Sequence, residues 1–342
     1  MGLTRRETMA LAGALAAAPR TALAGSAPPP PVFADFGLGV PSRATFDEAI
    51  DKGADFLVAP IVASKDGTLI AAPDVELSAY TDVAHRPEFA DRRRNQTVDG
   101  DAASGWFSED FTPAELKSLA AGPAPRGGGR PPPAAPGLLA LQEVIDIARA
   151  GSVRQARVVG VSPRLVSPAY FAARELNLEP RLADLIRLNG YDSKAAAMIV
   201  QAHEPAALTA LAGLSGIRRV QLVDAEGRPP DPSAMRYAAM IDADGLKTVN
   251  GWAGAIGAVE SMLIQPGPKG AITATGLTRA VHDAGLRLYA RAAPPAQHEP
   301  YGAPRARLVA LFLAGADGVM CADVNLAVKA RGAAMDRLRG EG

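Results

Sequence analysis

The sequence predicts an α/β fold, a closed (β/α)8 TIM barrel with a long insertion after its third strand. Three observations carry the prediction. Short β-rich apolar stretches alternate with amphipathic helical ones, the mark of parallel βα units. There are eight strand candidates, at 32–35, 56–62, 68–72, 156–161, 197–201, 219–223, 287–290 and 318–322, the number that closes a barrel. The chain has 342 residues, and barrels of this kind run to about 250 residues or more as one domain. A doubly wound open sheet is the alternative topology.

Helices are expected between the strands, at 45–52, 139–150, 168–177, 181–189, 204–212, 276–284 and 304–314. In the segment 276–284, Leu277, Ala280, Val281 and Ala284 recur on one helical face, as a helix packed on a sheet requires. Two stretches break the rhythm. Residues 76–119 are polar and rich in arginine (Arg86, Arg92, Arg93, Arg94) and end in Thr112-Pro113-Ala114-Glu115. That tetrapeptide predicts a helix start, with Thr112 as N-cap, Pro113 at the first position and Glu115 closing a capping box. Residues 121–137 are Gly, Pro and Ala apart from two arginines, a solvated loop by composition. The whole of 76–137 reads as an insertion on the barrel, with too few apolar residues for a core of its own.

Residues 1–24 read as an export signal. Thr4-Arg5-Arg6-Glu7 precedes an apolar run from Met9 to Ala18, and Ala22-Leu23-Ala24 suits a small-x-small cleavage site. The paired arginines, the alanine-rich core and the late Arg20 favour the twin-arginine route, hence a periplasmic or extracellular destination. The apolar run is too short to span a bilayer core, which needs about 20 residues. Residues 25–31 form a stiff proline-rich lead-in, and the barrel is placed at 32–333.

Composition excludes several functions. Lys and Arg (36) balance Asp and Glu (36), which argues against nucleic acid or anionic lipid held by bulk electrostatics. A single cysteine, Cys321, leaves no intramolecular disulfide and no thiolate metal cluster. It sits in an apolar strand pattern and reads as a small buried side chain. Four histidines, His85, His203, His282 and His298, leave little for an all-histidine metal site. Walker, Rossmann, Gly-x-Ser-x-Gly and His-Glu-x-x-His signatures are missing from the sequence.

Several phrases, in order, resemble the glycerophosphodiester phosphodiesterase family in its longer, exported form. They include Pro41 with Thr45-Phe46-Asp47-Glu48-Ala49, Gly53-Ala54-Asp55, Ser64-Lys65-Asp66-Gly67-Thr68-Leu69 and Glu76-Leu77-Ser78. The most specific is Gly105-Trp106-Phe107-Ser108-Glu109-Asp110-Phe111-Thr112, followed by Ala114-Glu115-Leu116. Looser matches follow at Gly190-Tyr191, Gln221-Leu222, 257–263 and Ala316-Asp317-Gly318-Val319. The resemblance implies a TIM barrel that hydrolyses glycerophosphodiesters to glycerol 3-phosphate and an alcohol, in lipid and glycerol metabolism. It implies a divalent metal such as calcium or magnesium on carboxylate ligands, and two histidines for proton transfer.

The residues that the resemblance implies for this chemistry are replaced. Where the family's first strand ends in His-Arg-Gly, this chain has Asp35-Phe36-Gly37. Where glutamate follows the proline, it has Ser42. The Glu-x-Asp metal pair is met by Val58-Ala59-Pro60, His-Asp by Pro73-Asp74 and Glu-x-Lys by Ser162-Pro163-Arg164. The family's catalytic and metal positions are thus occupied by Asp35, Val58, Pro60, Pro73 and Ser162. No metal ligands and no cofactor are predicted from the residues. The polar groups expected at the mouth are Asp35, Asp74, Arg164, Gln201 and His203, with Gln221, Tyr289 and Asp323. Arg164 suits a phosphate, His203 a general base or a packed side chain, and Asp74 a brace for the following loop. Three functions remain open: a pseudoenzyme with a small phosphodiester pocket, an active phosphodiesterase with a substituted site, and a non-catalytic interaction barrel using the insertion.

Overall fold

The computed structural model describes residues 28–340 except 38, 123–136, 232–233, 268–270 and 293–302. The expected export signal (1–24) and most of the loop 121–137 lie outside the described residues. Eight parallel strands form a closed ring. They are β1 (Val32–Ala34), β2 (Phe56–Ala63), β3 (Gly160–Leu165), β4 (Ile199–Ala202), β5 (Arg218–Val223), β6 (Ala255–Val259), β7 (Arg287–Arg291) and β8 (Gly318–Cys321). Consecutive strands pair, and β1 closes the ring by pairing with β8 (Phe33 opposite Met320) and with β2 (Phe33 opposite Phe56). The expected fold class is the observed one.

The membership of the ring differs from expectation at one place. The candidate 68–72 is a strand, Leu69–Ala71, but it runs antiparallel to the end of β2 and lies outside the ring. Its place is taken by β6, Ala255-Ile256-Gly257-Ala258-Val259, which sequence patterning missed. Small residues and a central glycine disguise β6 as a loop. The glycine is needed for packing, because a Cβ there would fall 2.6 Å from the Leu222 side chain. β3 begins four residues later than expected, after Ala156 takes a left-handed turn at φ 48°. The closing helix Val324–Arg339 and the short helix Ala243–Val249, capped by Asp323 and Asp242, were also unforeseen. In the helix Leu277–Asp283 the buried face is carried by Thr278 and Val281, and Ala280 is exposed.

Two-residue periodicity sorts each strand into inward and outward side chains. Phe33, Val58, Ile199, Val220, Leu222, Ala255, Tyr289 and Met320 form an apolar plug, with Phe56 packed against it. The outward side chains pack on the helices in a second, continuous core. The insertion joins that core through Leu77, Phe89, Trp106, Phe107, Phe111 and Leu116. Arginines cover this aromatic layer: Arg92 lies 4.9 Å from the Phe89 and Phe111 ring centres, and Arg94 lies 4.9 Å from that of Phe107. The arginine-rich stretch is therefore a lid on apolar rings, not a solvated face. Its helix Pro113–Ser118 starts as predicted. Glu115 accepts from the Thr112 amide at 2.8 Å and Thr112 Oγ1 accepts from the Glu115 amide at 3.3 Å.

Candidate functional site

The carboxyl ends of the strands open into a cleft of about 2020 Å³, whose lining includes Asp35, Pro73, Arg164, His203, Asp224 and Arg291. Each charged group stands at or just past a strand end, in phase with the inward residues of that strand. Arg164 lies opposite Pro60 in the sheet register. Its Nη1 reaches across the end of β2 to donate to Asp35 Oδ2 at 2.8 Å. Burial pushes the Asp35 carboxyl up, but Arg164 and the Gly37 amide more than offset it and hold its pKa below the ordinary value. On the opposite wall Arg291 Nη1 donates to Asp224 Oδ1 at 2.8 Å, and His203 Nε2 lies 3.5 Å from Asp224 Oδ2. The adjacent His203 imidazole, with Arg291 beside it, depresses the Asp224 pKa to about 2. Burial lowers the His203 pKa, and the nearby Arg291 and Arg164 charges add to that against Asp224. The imidazole is thus neutral near pH 7.

A third pair, Arg307 Nη1 to Glu260 Oε1 at 2.7 Å, is nearly inaccessible to solvent. Glu204 is buried as well, accepts from the Ala169 amide at 3.2 Å, and has its pKa raised to about 7 by burial and by Asp99. Burial likewise pushes the Cys321 thiol up to about 12, and the side chain packs at the cleft floor as an inert small group.

The structure distributes the remaining sequence candidates differently. Gln201 and Ser162 are fully buried below the cleft: Gln201 Nε2 donates to Ser162 Oγ at 2.7 Å, and Ser162 Oγ donates to the Ile199 carbonyl at 2.6 Å. Asp74 does not line the cleft. It accepts from the Val75 and Glu76 amides at 2.6 and 3.3 Å and braces the following loop. Gln221 points outward, accepting from Trp252 Nε1 at 3.0 Å. Tyr289 belongs to the apolar plug and faces the other end of the barrel. Asp323 lines the cleft but caps the last helix through the Leu326 amide at 2.9 Å. No hydrogen bond joins Asp35, His203 and Asp323.

Sequence reasoning missed Asp224, Arg291, Glu260 and Glu204. The first two were detectable, since Asp224 continues the inward series Val220, Leu222 and Arg291 continues Arg287, Tyr289. Glu260 and Glu204 follow their strands without a motif to mark them.

The positions that the resemblance assigns to a metal do not fit a divalent cation. Val58 is packed in the apolar plug, Pro60 is buried with no side-chain donor atom, and the Ser162 hydroxyl is fully buried and given to the Ile199 carbonyl. Among the described residues no group of three or more His, Cys, Asp or Glu side chains converges in a way that could hold an ion. The guanidinium of Arg164 spans this part of the floor, tied to the one carboxylate there.

A closed parallel barrel with its charged side chains gathered at the carboxyl mouth has the layout of the barrel enzymes. The model of the glycerophosphoryl diester phosphodiesterase family matches residues 42–291, and the chain belongs to that family. It is 39% identical over 127 residues to a glycerophosphodiester phosphodiesterase of Arabidopsis thaliana. That match covers 36% of this chain and 32% of the plant protein, about a third of its length. A glycerophosphodiester phosphodiesterase structure from Agrobacterium tumefaciens is similar with a TM-score of 0.54 at 15% identity, over 87% of this chain and 97% of that one. A phosphodiesterase from Oleispira antarctica in complex with the product sn-glycerol-3-phosphate gives 0.56 at 16% identity, over 88% and 96%. At these identities the structures attest the fold.

Proposed function

We propose that this protein is an exported, non-catalytic or strongly impaired member of its family that binds a small phosphodiester at the barrel mouth. The observation that carries the reading is the replacement of the β2 carboxylate pair by Val58 and Pro60, with the Arg164–Asp35 ion pair lying across their ends. A metal-assisted displacement needs oxygen ligands to hold the ion, and these side chains supply none. A fixed guanidinium offers positive charge for a phosphate but lowers no water pKa, so binding survives where turnover does not. Arg164 gives one nitrogen to Asp35 and Arg291 gives one to Asp224, which leaves their other N–H groups for a ligand. A zwitterionic diester such as glycerophosphocholine matches a cleft that carries both signs of charge.

Calorimetric titration of the full chain with glycerophosphocholine tests this. Saturable binding that chelator leaves unchanged and Arg164→Ala weakens about tenfold or more is expected, since a charge-assisted contact is lost. Binding that requires calcium or magnesium contradicts it. A second reading, hydrolysis through a substituted site, is favoured by the neutral His203 held beside Asp224, a base–carboxylate pair of the kind proton transfer uses.

A further inference from the structure

A second cavity, of about 210 Å³, lies at the opposite, amino-terminal end of the barrel. Four cations line it, Lys194, Arg218, Arg219 and Arg287, together with Tyr289 and Asn250, and no carboxylate does. The chain carries no excess positive charge, so this segregation is local.

The four cations are not equivalent. Arg219 is satisfied by the protein, donating to the Trp252, Ile217 and Ser215 carbonyls at 2.8, 2.8 and 3.3 Å. Arg218 is not. Its Nη2 donates to the Ala196 carbonyl at 2.6 Å, but its Nε is buried without an acceptor. The guanidinium is held over the Phe56 ring, 5.9 Å from its centre, at the bottom of the apolar plug. Burial, with Arg287 close by, lowers its pKa, while Tyr289 opposes. Nearby carboxylates are engaged elsewhere. Asp317 accepts from the Leu288 amide at 2.8 Å and pairs with His282 at 2.7 Å, and Asp192 accepts from Ser215 at 2.6 Å and the Gly216 amide at 2.9 Å.

We infer that this cavity is a binding site for a compact phosphate-type oxyanion, separate from the mouth. Cations of like charge gathered in a half-buried cavity with no acid are unfavourable, and one oxyanion offsets that repulsion. It pairs with the guanidinium groups of Arg218 and Arg287, with Lys194 at the rim and the Tyr289 hydroxyl as a further donor. The cavity is below the roughly 300–1,000 Å³ of pockets for drug-sized ligands, which suits an inorganic ion or a phosphate headgroup. The apolar plug separates it from Arg164 and Arg291, so the two sites are distinguishable by mutation.

The test is calorimetric titration of the folded full chain with inorganic phosphate, against chloride at matched ionic strength to remove screening. A parallel arm measures co-sedimentation with vesicles containing phosphatidate. Saturable phosphate binding that Arg287→Gln and Arg218→Gln each weaken about tenfold or more, and Arg164→Gln leaves unchanged, is the expected result. Vesicle binding that phosphate displaces and Arg287→Gln abolishes supports the same site with a lipid headgroup as the source. Arg287 is exposed, so its variant keeps the test decisive if Arg218→Gln fails to fold. Absence of both phosphate and vesicle binding, or binding that persists in Arg287→Gln and is lost in Arg164→Gln, overturns the inference.

Discussion

The two ends of this barrel handle charge in opposite ways. At the carboxyl end three arginines, from β3, from β7 and from the helix Pro304–Leu313, each hold a carboxylate: Arg164 with Asp35, Arg291 with Asp224, Arg307 with Glu260. At the amino end Arg218, Arg287 and Lys194 share a cavity with no acid. The contrast runs along single strands. β5 carries Arg218 inward at one end and Asp224 just past the other, while β7 runs from Arg287 to Arg291. Ion pairing inside the mouth offsets each cation there within the protein, whereas cations gathered without an acid repel one another.

The contrast breaks most visibly at the buried mouth pair. Arg307→Ala removes the cation of this nearly solvent-free ion pair and is expected to destabilise by about 3–5 kcal/mol, read as a lower urea midpoint at unchanged slope. Next is Glu204, whose folded-state pKa of about 7 lies above its ordinary 4.5. A raised pKa means that its contribution is complete below pH 4.5 and is lost as pH rises through about 7. Glu204→Gln removes that loss, so the variant should gain up to about 3 kcal/mol on wild type across this window, measured by melting at stepped pH.

Asp35 has the opposite sign. Its pKa is below the ordinary 3.8, so its contribution is present above pH 3.8 and is lost as pH falls through the lower folded value. Asp35→Asn is expected to cost about 1–3 kcal/mol at neutral pH and to match wild type only in stronger acid. Smallest is Arg287→Gln at the amino end. With phosphate absent it removes a repulsive neighbour of Arg218, so its stability should stay within about 0.5 kcal/mol of wild type. A large loss there would erase the distinction between the two ends.

Much of the architecture was legible because it rests on local chemistry. The Thr112 capping box and the inward placement of Asp35 and Arg164 follow from residue type and two-residue alternation. What escaped depended on packing between distant residues. β6 is composed of small residues because Leu222 and Val220 crowd Gly257, and no local pattern records that. The strand Leu69–Ala71 has the composition of a barrel strand, but pairs antiparallel because it turns straight back on β2. Of the mouth, sequence placed Arg164 and His203 but not Asp224 or Glu260, since those partners are set by the closure of the ring. Gln221 and Tyr289 were misassigned because one points out of the barrel and the other toward the opposite end.

Release of glycerol 3-phosphate tests most directly whether the substituted mouth supports metal-dependent turnover. The full chain would be incubated with glycerophosphocholine and glycerophosphoethanolamine, with calcium, magnesium, manganese or zinc and with chelator, beside an active family member. No release above the chelator level while the control turns over is the predicted result. Metal-dependent release that scales with protein and survives further purification would contradict it, and would mean that groups other than Val58, Pro60 and Ser162 have rebuilt the metal site.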